Sequence, residues 1–187
     1  SADWGDRYNW TNGTVPASGA DVTFDPVPQN HAVLDINRVI GSLNNAQFTY
    51  RVVTNGKKLT INGALNLTNG AQIDASAINS TLEFAGTSAT QYLPASALFE
   101  NKVFNLNVKN PQNVVLSGTV RLLNALTAET GVLDASTNQP TLILGGSVLQ
   151  NISGTMLLLG KVYNLTIDNS AGAVLTGNMF VENDLTL

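Results

Sequence analysis

Two stretches of this sequence, VFNLNVKN (103–110) and VYNLTIDN (162–169), match each other at an offset of 59, which is 162 minus 103. The match continues in VLSG (115–118) and VLTG (174–177), which lie at the same offset. A register that is kept over this distance predicts an internal structural repeat. Because a unit of this length is too long for one hairpin, we interpret it as three successive coils of about 20 residues each.

Short runs in which apolar and polar residues alternate recur along the chain, and helical spacing is nearly absent. Alternate residues of a strand point to opposite sides, so each run predicts a strand with one buried face. The one helix-like run, 121–129, falls inside the repeat and is therefore predicted to be strand. The alternating runs are 59–61, 64–67, 82–84, 106–108, 120–122, 142–144, 165–167 and 185–187.

A steady step of about 20 residues between strand centres predicts an all-β chain folded as a right-handed parallel β-helix, or solenoid, with three short strands per coil. Leu106, Leu126 and Leu165 are then expected to line its interior, with turn Asn and Ser/Thr residues in rows along its axis. An antiparallel sandwich would explain the short strands, but it would not explain a register kept over the whole repeat.

Composition excludes several classes of function. The chain has 187 residues, of which only 12% are charged, with a net charge of −4 and no cysteine. Without a cluster of Lys and Arg we expect no nucleic-acid partner, and without a long apolar run we expect no membrane insertion. The absence of cysteine excludes disulfides, thiol nucleophiles and thiolate metal sites.

The first part of the chain differs from the rest in composition. Both tryptophans, Trp4 and Trp10, lie there, together with the only histidine, His31. A solenoid needs an atypical cap over its first coil, so we predict a cap at 1–30, in which the tryptophans close the core, followed by coils at 31–187. Because the repeat pattern stops within a strand, we expect the coils to continue in a longer protein.

The N-terminal pattern resembles a motif of bacterial surface β-helix proteins: Trp4 and Trp10, then GTVP (13–16) and GADVTF (19–24), with Ala20 in place of an aspartate. GTSATQ (86–91) and the 162–177 repeat resemble segments of large secreted Bacteroidetes proteins, the type IX secretion cargo and adhesin-like class, and autotransporter passengers. This resemblance implies an extracellular or outer-surface location. It also implies bacterial secretion or surface-anchoring machinery, and an extracellular glycan or a host surface protein, as partners.

Two sets of residues are candidates for binding. Oxygen ligands suit Ca²⁺, but the acidic residues near the N-terminus lack a known loop spacing, so we favour turn-forming and capping roles for them and expect no cofactor. Aromatic side chains suit sugar stacking. The Ca²⁺ candidates are Asp3, Asp6, Asp21 and Asp25, and the carbohydrate-contact candidates are Tyr8, Tyr50 and Tyr92.

No residues have the spacing of a catalytic site. At the assumed coil length Asp74 and Asp134 are three coils apart, too far for a glycosidase pair, and a lone His31 gives no triad. Charges one coil apart predict surface salt bridges of Glu83 with Lys102 and of Lys109 with Glu129. We therefore expect a non-catalytic structural or adhesin-like segment, a stiff spacer or adhesive stalk. The alternatives are a carbohydrate-binding module and a polysaccharide lyase or hydrolase.

Overall fold

A computed structural model describes residues 3–24, 30–45 and 51–187 of the chain, which form an all-β solenoid. All the strand pairs among these residues are parallel, and they stack about 22 residues apart through about seven turns. The predicted β-helix class is therefore confirmed, and the antiparallel sandwich is excluded. The only helical segments in the described chain are three short 3-10 turns, Arg7–Asn9, Ala95–Ala97 and Gly154–Met156.

The strands of the first coils are all short, whereas the later coils contain both long and short strands. The short strands are β1 Val22–Phe24, β2 Ala32–Val33, β3 Arg38–Ile40, β4 Leu43–Asn45, β5 Arg51–Val53, β6 Lys58–Ile61, β7 Leu65–Asn66, β8 Gln72–Ala75 and β9 Thr81–Phe84. They are followed by β10 Gln91–Pro94, β11 Leu98–Val108, β12 Val114–Ala128, β13 Leu133–Leu144, β14 Gln150–Ser153, β15 Leu157–Ile167, β16 Ala173–Thr176 and β17 Phe180–Thr186. The helix-like run at 121–129 is almost entirely within β12, as predicted.

The coil is longer than the sequence interpretation assumed, and this changes what the internal repeat means. At about 22 residues per coil, one repeat covers about two and two-thirds coils rather than three. Leu106 is therefore the register partner of Leu126, whereas Leu165 pairs with Leu142 and Leu185 on another side of the coil. The repeat preserves local pairings and moves them to a different side of the solenoid.

One aliphatic core runs through the coils. Leu106, Leu126 and Leu165 belong to it with 2%, 3% and 1% of their surface exposed, so the three share one interior although they do not share one ladder. Burying such a side chain contributes about 1.5–3 kcal/mol relative to leaving it exposed. The low charge fraction of the chain is consistent with a fold whose strength comes from stacked aliphatic side chains and backbone pairing.

An aromatic cluster closes the N-terminal end of this core. Trp4 is almost fully buried and meets Trp10 edge to face, with ring centroids 5.0 Å apart. Phe24 completes the cluster at 5.8 Å from Trp4, and Trp10 Nε1 donates a hydrogen bond to the Trp4 carbonyl. Phe24 belongs to β1, which lies within the 1–30 segment and already pairs in parallel with β4.

Two corners of the solenoid carry the same buried amide arrangement. In the Gln91 lock, Gln91 Nε2 donates to the carbonyls of Ile61 and Gly63, and its Oε1 accepts from the Gly86 amide and from Asn110 Nδ2. Asn110 Nδ2 also donates to the Ala89 carbonyl in the preceding coil, and its Oδ1 accepts from Gln112 N in its own corner.

The Gln150 lock copies this arrangement at the equivalent position of the next repeat. Gln150 Nε2 donates to the carbonyls of Leu122 and Asn124, and its Oε1 accepts from Gly146 N and from Asn169 Nδ2. Asn169 Nδ2 likewise donates to the Val148 carbonyl in the preceding coil, and its Oδ1 accepts from Ala171 N in its own corner. The two locks satisfy buried backbone groups where a coil turns, which is where a solenoid loses its strand pairing.

Asparagine side chains also hydrogen-bond from coil to coil, but the asparagines that do so here lie in strands, whereas the sequence predicted such rows in the turns. Asn66 donates to Asn44 at 2.8 Å. The other two pairs occupy equivalent positions of the repeat: Asn124 donates to Asn105, and Asn183 donates to Asn164, each at 2.7 Å. These rows use side-chain amides to extend the hydrogen bonding between coils.

Candidate functional site

The Ca²⁺ candidates that the structure describes act on backbone groups. Asp6 caps the first 3-10 turn by accepting a hydrogen bond from Tyr8 N at 3.0 Å. Asp21 Oδ1 accepts from Ser42 N in the next coil at 2.6 Å. Both contacts are of the capping kind that the sequence favoured over a metal loop.

Of the remaining two candidates, the structure describes only Asp3. The backbone of Asp3 pairs with that of Val33, and its carbonyl accepts a hydrogen bond from Asn9 Nδ2 at 2.7 Å. Asp25 lies outside the described residues. Across the ranges 3–24, 30–45 and 51–187, no group of three or more His, Cys, Asp or Glu residues has an arrangement that could hold a metal ion.

The carbohydrate-contact candidates lie in separate parts of the molecule. Tyr8 is 79% exposed in the 3-10 turn Arg7–Asn9, where the Arg7 guanidinium stacks over its ring at 4.8 Å. Tyr92 is 60% exposed on β10, three coils beyond β1. Tyr50 falls outside the described residues. The structure therefore shows exposed rings at two distant points, and it does not join them into one platform.

A polar cluster, of which the sequence predicted only the Lys109–Glu129 contact, lies on the outer face of β6, β9 and β11 and just beyond the ends of β11 and β12. Glu83 lies at its centre with only 4% of its surface exposed. We call this the Glu83 cluster. Its members are Lys58, Thr60, Glu83, Asn107, Lys109 and Glu129.

Each oxygen of Glu83 is held by donors from neighbouring coils. Thr60 Oγ1 donates at 2.8 Å and Asn107 Nδ2 at 2.7 Å, while the Nζ atoms of Lys58 and Lys109 approach to 3.3 and 3.4 Å. Burial by itself raises the pKa of Glu83, but these hydrogen bonds and charges outweigh it and hold the pKa below its usual range. Glu83 is therefore an ionised, almost buried carboxylate.

A second carboxylate joins the cluster through Asn107. Asn107 Nδ2 donates to Glu129 at 2.9 Å as well as to Glu83 at 2.7 Å, so one amide nitrogen bridges the two carboxylates. Lys109 also reaches Glu129, at 3.2 Å. The cluster joins two carboxylates to two ammonium groups and so is electrically balanced. Within the described chain, Asn107 Oδ1 is buried without a hydrogen-bond partner.

Two carboxylates bridged by a single nitrogen are close enough to be compared with a retaining glycosidase pair, which lies roughly 5 Å apart, but their protonation does not fit that chemistry. Such a pair needs one carboxylic acid whose pKa is raised so that it can protonate the leaving group. The hydrogen bonds from Asn107 and Lys109 lower the pKa of Glu129, and that of Glu83 is lowered as well. The arrangement is that of an ion-pair network between coils.

The salt-bridge predictions are half right. Lys109 pairs with Glu129 as expected, but the predicted bridge between Glu83 and Lys102 is wrong, because Lys102 pairs with Glu100 at 2.6 Å on its own strand. The error comes from the coil length. The register partner of Glu83 is Asn107, so the assumed step falls short of the side chains that face Glu83.

Asp74, Asp134 and His31 accept hydrogen bonds from nearby backbone amides. Asp74 accepts from the amide and hydroxyl of Ser76, and Asp134 does the same with Ser136. Burial raises the pKa of Asp134, but hydrogen bonds from Thr137 and Ser136 outweigh this effect and hold the pKa below its usual range. His31 is exposed, and its Nδ1 accepts from Arg51 N at 3.2 Å. These contacts are structural.

A shallow groove runs along one corner of the solenoid, and we call it the corner groove. Its volume is about 270 Å³, just below the roughly 300 Å³ at which small-molecule pockets begin. Phe104 is half-buried here and lies outside the core cluster. The groove is lined by Ser76, Ile78, Phe104, Leu123, Gly145, Gly146 and Ser147.

Comparison with known proteins identifies no relative for this chain. No protein-family model, curated protein or solved structure matches it. Independent support therefore extends to the β-solenoid and its repeat, and the resemblance to secreted Bacteroidetes proteins rests on the quoted sequence patterns alone. No helix in the described ranges is long and apolar enough to cross a membrane.

Proposed function

We propose that this chain is a mechanical β-solenoid segment, a stiff spacer or adhesive stalk in a secreted or surface-exposed bacterial protein. The observation that carries the proposal is the continuity of its bonding. One aliphatic core runs from Trp4 to Leu165, and the two locks repeat along it. The proposed location, and the secretion or anchoring machinery as a partner, rest on the sequence resemblance.

Continuity supports stiffness for a physical reason. Each coil contacts its neighbours through parallel backbone pairing and through inward side chains, so bending would require both to be broken together. The Glu83 cluster and the asparagine rows tie coils together on the outside as well. A rod of about seven coils at about 4.8 Å per coil has an axial length of roughly 30 Å.

Stiffness can be tested directly because the chain has no cysteine of its own. Exposed Thr23 on β1 and Thr186 on β17 can be changed to cysteine and spin-labelled, and the distance between the labels measured by pulsed electron resonance. We expect a narrow distribution centred near the axial length in buffer and a broad one in denaturant. A broad distribution in buffer, with the circular dichroism spectrum of folded β-sheet, would contradict the proposal.

Carbohydrate binding is a second candidate, favoured by the corner groove. The groove is lined by the half-buried aromatic side chain of Phe104, by apolar side chains and by two serines; the last two groups are Ile78, Leu123, Ser76 and Ser147. An aromatic face flanked by hydroxyl groups suits a sugar ring, which has an apolar face and polar edges.

Screening the intact chain against polysaccharides tests this candidate, with Tyr163→Ala as the control because Tyr163 occupies the same repeat position and lies outside the groove. We expect Phe104→Ala to abolish any binding and Tyr163→Ala to leave it unchanged. Tyr8→Ala and Tyr92→Ala test the positions chosen from the sequence. Absence of binding across the polysaccharides, or loss with Tyr163→Ala alone, would count against the groove.

A further inference from the structure

The chain contains four Asn-Gly pairs, and the structure places them in unequal surroundings. An asparagine before glycine is prone to spontaneous deamidation, because the glycine amide nitrogen can attack the asparagine side-chain carbon and no side chain on the glycine hinders it. The attacking nitrogen must be free to reach that carbon. The pairs are Asn12-Gly13, Asn55-Gly56, Asn62-Gly63 and Asn69-Gly70.

Three of the four glycine amides are already engaged as hydrogen-bond donors. Gly13 N donates to the carbonyl of Trp10 at 2.8 Å, and Gly63 N donates to the carbonyl of Gly41 at 2.9 Å. Gly56 N donates to the hydroxyl of Ser80 at 3.0 Å. Attack on the preceding side chain would require each of these bonds to break first.

Gly70 is different. Its amide makes no hydrogen bond with any described residue, both members of the pair are exposed, and no atom comes within 4 Å of a β-carbon built on it. The turn itself is closed by Ala71 N donating to the Thr68 carbonyl. The nitrogen of Gly70 and the side chain of Asn69 are therefore both open to solvent and uncrowded.

The chain also supplies a matched turn. Asn55 and Gly56 have φ values of 52° and 75°, and Asn69 and Gly70 have 54° and 81°, so both pairs occupy the central positions of the same kind of tight turn. Each turn is closed by an equivalent hydrogen bond, from Lys57 N to the Thr54 carbonyl in the first case. The Ser80 hydroxyl on the Gly56 amide is a specific difference between them.

We propose that Asn69 is the site of spontaneous deamidation in the folded chain. Gly70 N gives up its proton and forms a bond to Asn69 Cγ, while the Cγ–Nδ2 bond breaks and the nitrogen leaves as ammonia with that proton. The product is a five-membered succinimide. Water then opens either of its carbonyl–nitrogen bonds and yields aspartate or isoaspartate, with no oxidant or reductant involved.

The modification would alter a corner that the coil below helps to hold. Asn45 Oδ1 accepts a hydrogen bond from Thr68 N at 2.7 Å, and its Nδ2 donates to the Thr68 carbonyl at 2.9 Å. Deamidation adds one negative charge beside this contact, and isoaspartate inserts an extra backbone carbon into the turn. Asn69 would thus be a defined site of chemical ageing between the second and third coils of the solenoid.

The test is to incubate the intact chain at mildly alkaline pH, and to follow ammonia loss and isoaspartate at each pair by peptide mapping with mass spectrometry. We expect deamidation at Asn69 roughly tenfold faster than at the other three, which corresponds to about 1.4 kcal/mol and is comparable to breaking one hydrogen bond. In denaturant the four rates should converge. Equal rates in the folded chain would overturn the proposal.

Ser80→Ala provides the internal control. It frees the Gly56 amide and should raise the rate at Asn55 toward that at Asn69, without changing the rate at Asn69. If the deamidation rate at Asn55 is unchanged in a folded Ser80→Ala chain, the hydrogen bond from Gly56 N to the Ser80 hydroxyl does not protect Asn55, and the argument is overturned. If this variant does not fold, the relative deamidation rates of the four Asn-Gly pairs in the unaltered chain still test the proposal.

Discussion

The Gln91 lock and the Gln150 lock make the same six hydrogen bonds one repeat apart, yet they stand in different surroundings. Asn110 of the first lock is completely buried, whereas Asn169 of the second is partly exposed. The repeat around the first lock has coils on both sides, and the repeat around the second reaches the last described coil. The same set of hydrogen bonds is therefore expected to contribute differently to the stability of the fold, depending on how deeply it is buried.

The largest difference between the two repeats is expected at Leu126 and Leu185, which occupy equivalent positions. Leu126 is 3% exposed and Leu185 is 50% exposed. Leu126→Asp would bury a charge without a partner, and we expect it to lower the free energy of unfolding by more than about 4 kcal/mol. Leu185→Asp should change it by less than about 1 kcal/mol.

Chemical denaturation followed by circular dichroism measures both variants. Hydrogen exchange then shows whether the loss in Leu126→Asp centres on β11 and β12, where Leu126 pairs with Leu106. Equal effects of the two substitutions would mean that the interior is not continuous through the fourth and fifth coils.

The second prediction compares the locks themselves. Asn110→Ala removes donors and an acceptor from a fully buried corner, leaving Gln91 Oε1 and the Ala89 carbonyl without that partner. We expect a loss of about 2–3 kcal/mol, the cost of unsatisfied buried polar groups. Asn169→Ala should cost about 1 kcal/mol, because water can replace its bonds. A larger loss for Asn169→Ala in the same denaturation experiment would contradict the burial argument.

The third prediction concerns a feature that only the first repeat has. In the upstream match of LEFAG (82–86) with LILGG (142–146), the position equivalent to Glu83 is Ile143, so the Glu83 cluster has no copy in the second repeat. Because the folded pKa of Glu83 is lowered, its stabilising contribution is present above its unfolded pKa. That contribution is lost as the pH falls through the folded value.

Glu83→Gln should therefore flatten the acid side of the stability profile and cost about 1–2 kcal/mol at neutral pH, since Gln keeps some of the hydrogen bonds. Glu182→Gln is the control, because Glu182 makes an exposed ion pair with Lys161, and such pairs contribute between 0 and about 1 kcal/mol. The measurement is denaturant unfolding across the acid range. A profile for Glu83→Gln parallel to that of the unaltered chain would exclude the carboxylate as the source of the acid sensitivity.

The repeat itself was predictable because the residues that carry it are packing and corner residues. Val103 and Val162 both lie in the core, although the repeat places them in different coils, so their spacing survives in the sequence. The locks carried a usable signal as well, since Gln91 and Gln150 are separated by the same offset as the strands. That signal identifies an amide in each corner, but it does not show which carbonyls the amide reaches.

The Glu83 cluster could not be predicted for a geometric reason. The step along the chain from Leu82 to its partner Leu106 is longer than the step from Leu106 to its partner Leu126, because corners insert different numbers of residues. The mean number of residues per coil therefore predicts the positions of the strands well, but it does not predict reliably which outward side chains contact each other. Lys109 and Glu129 were paired correctly because they lie in a step that matches the assumed length.

The smallest effects on stability are expected for the asparagine pairs. These pairs give the most direct comparison of the two repeats, because the two contacts have the same donor–acceptor distance. Asn124 donates to Asn105, and Asn183 donates to Asn164, at 2.7 Å in both cases, but Asn183 is exposed while Asn124 is half-buried. We expect Asn124→Ala to cost about 0.5–1 kcal/mol and Asn183→Ala less than about 0.5 kcal/mol. Combining each with Ala at its acceptor in a double-mutant cycle isolates the coupling energy. Equal coupling energies would show that each Asn–Asn contact stabilises the fold to the same extent, independently of how deeply the neighbouring coils bury it.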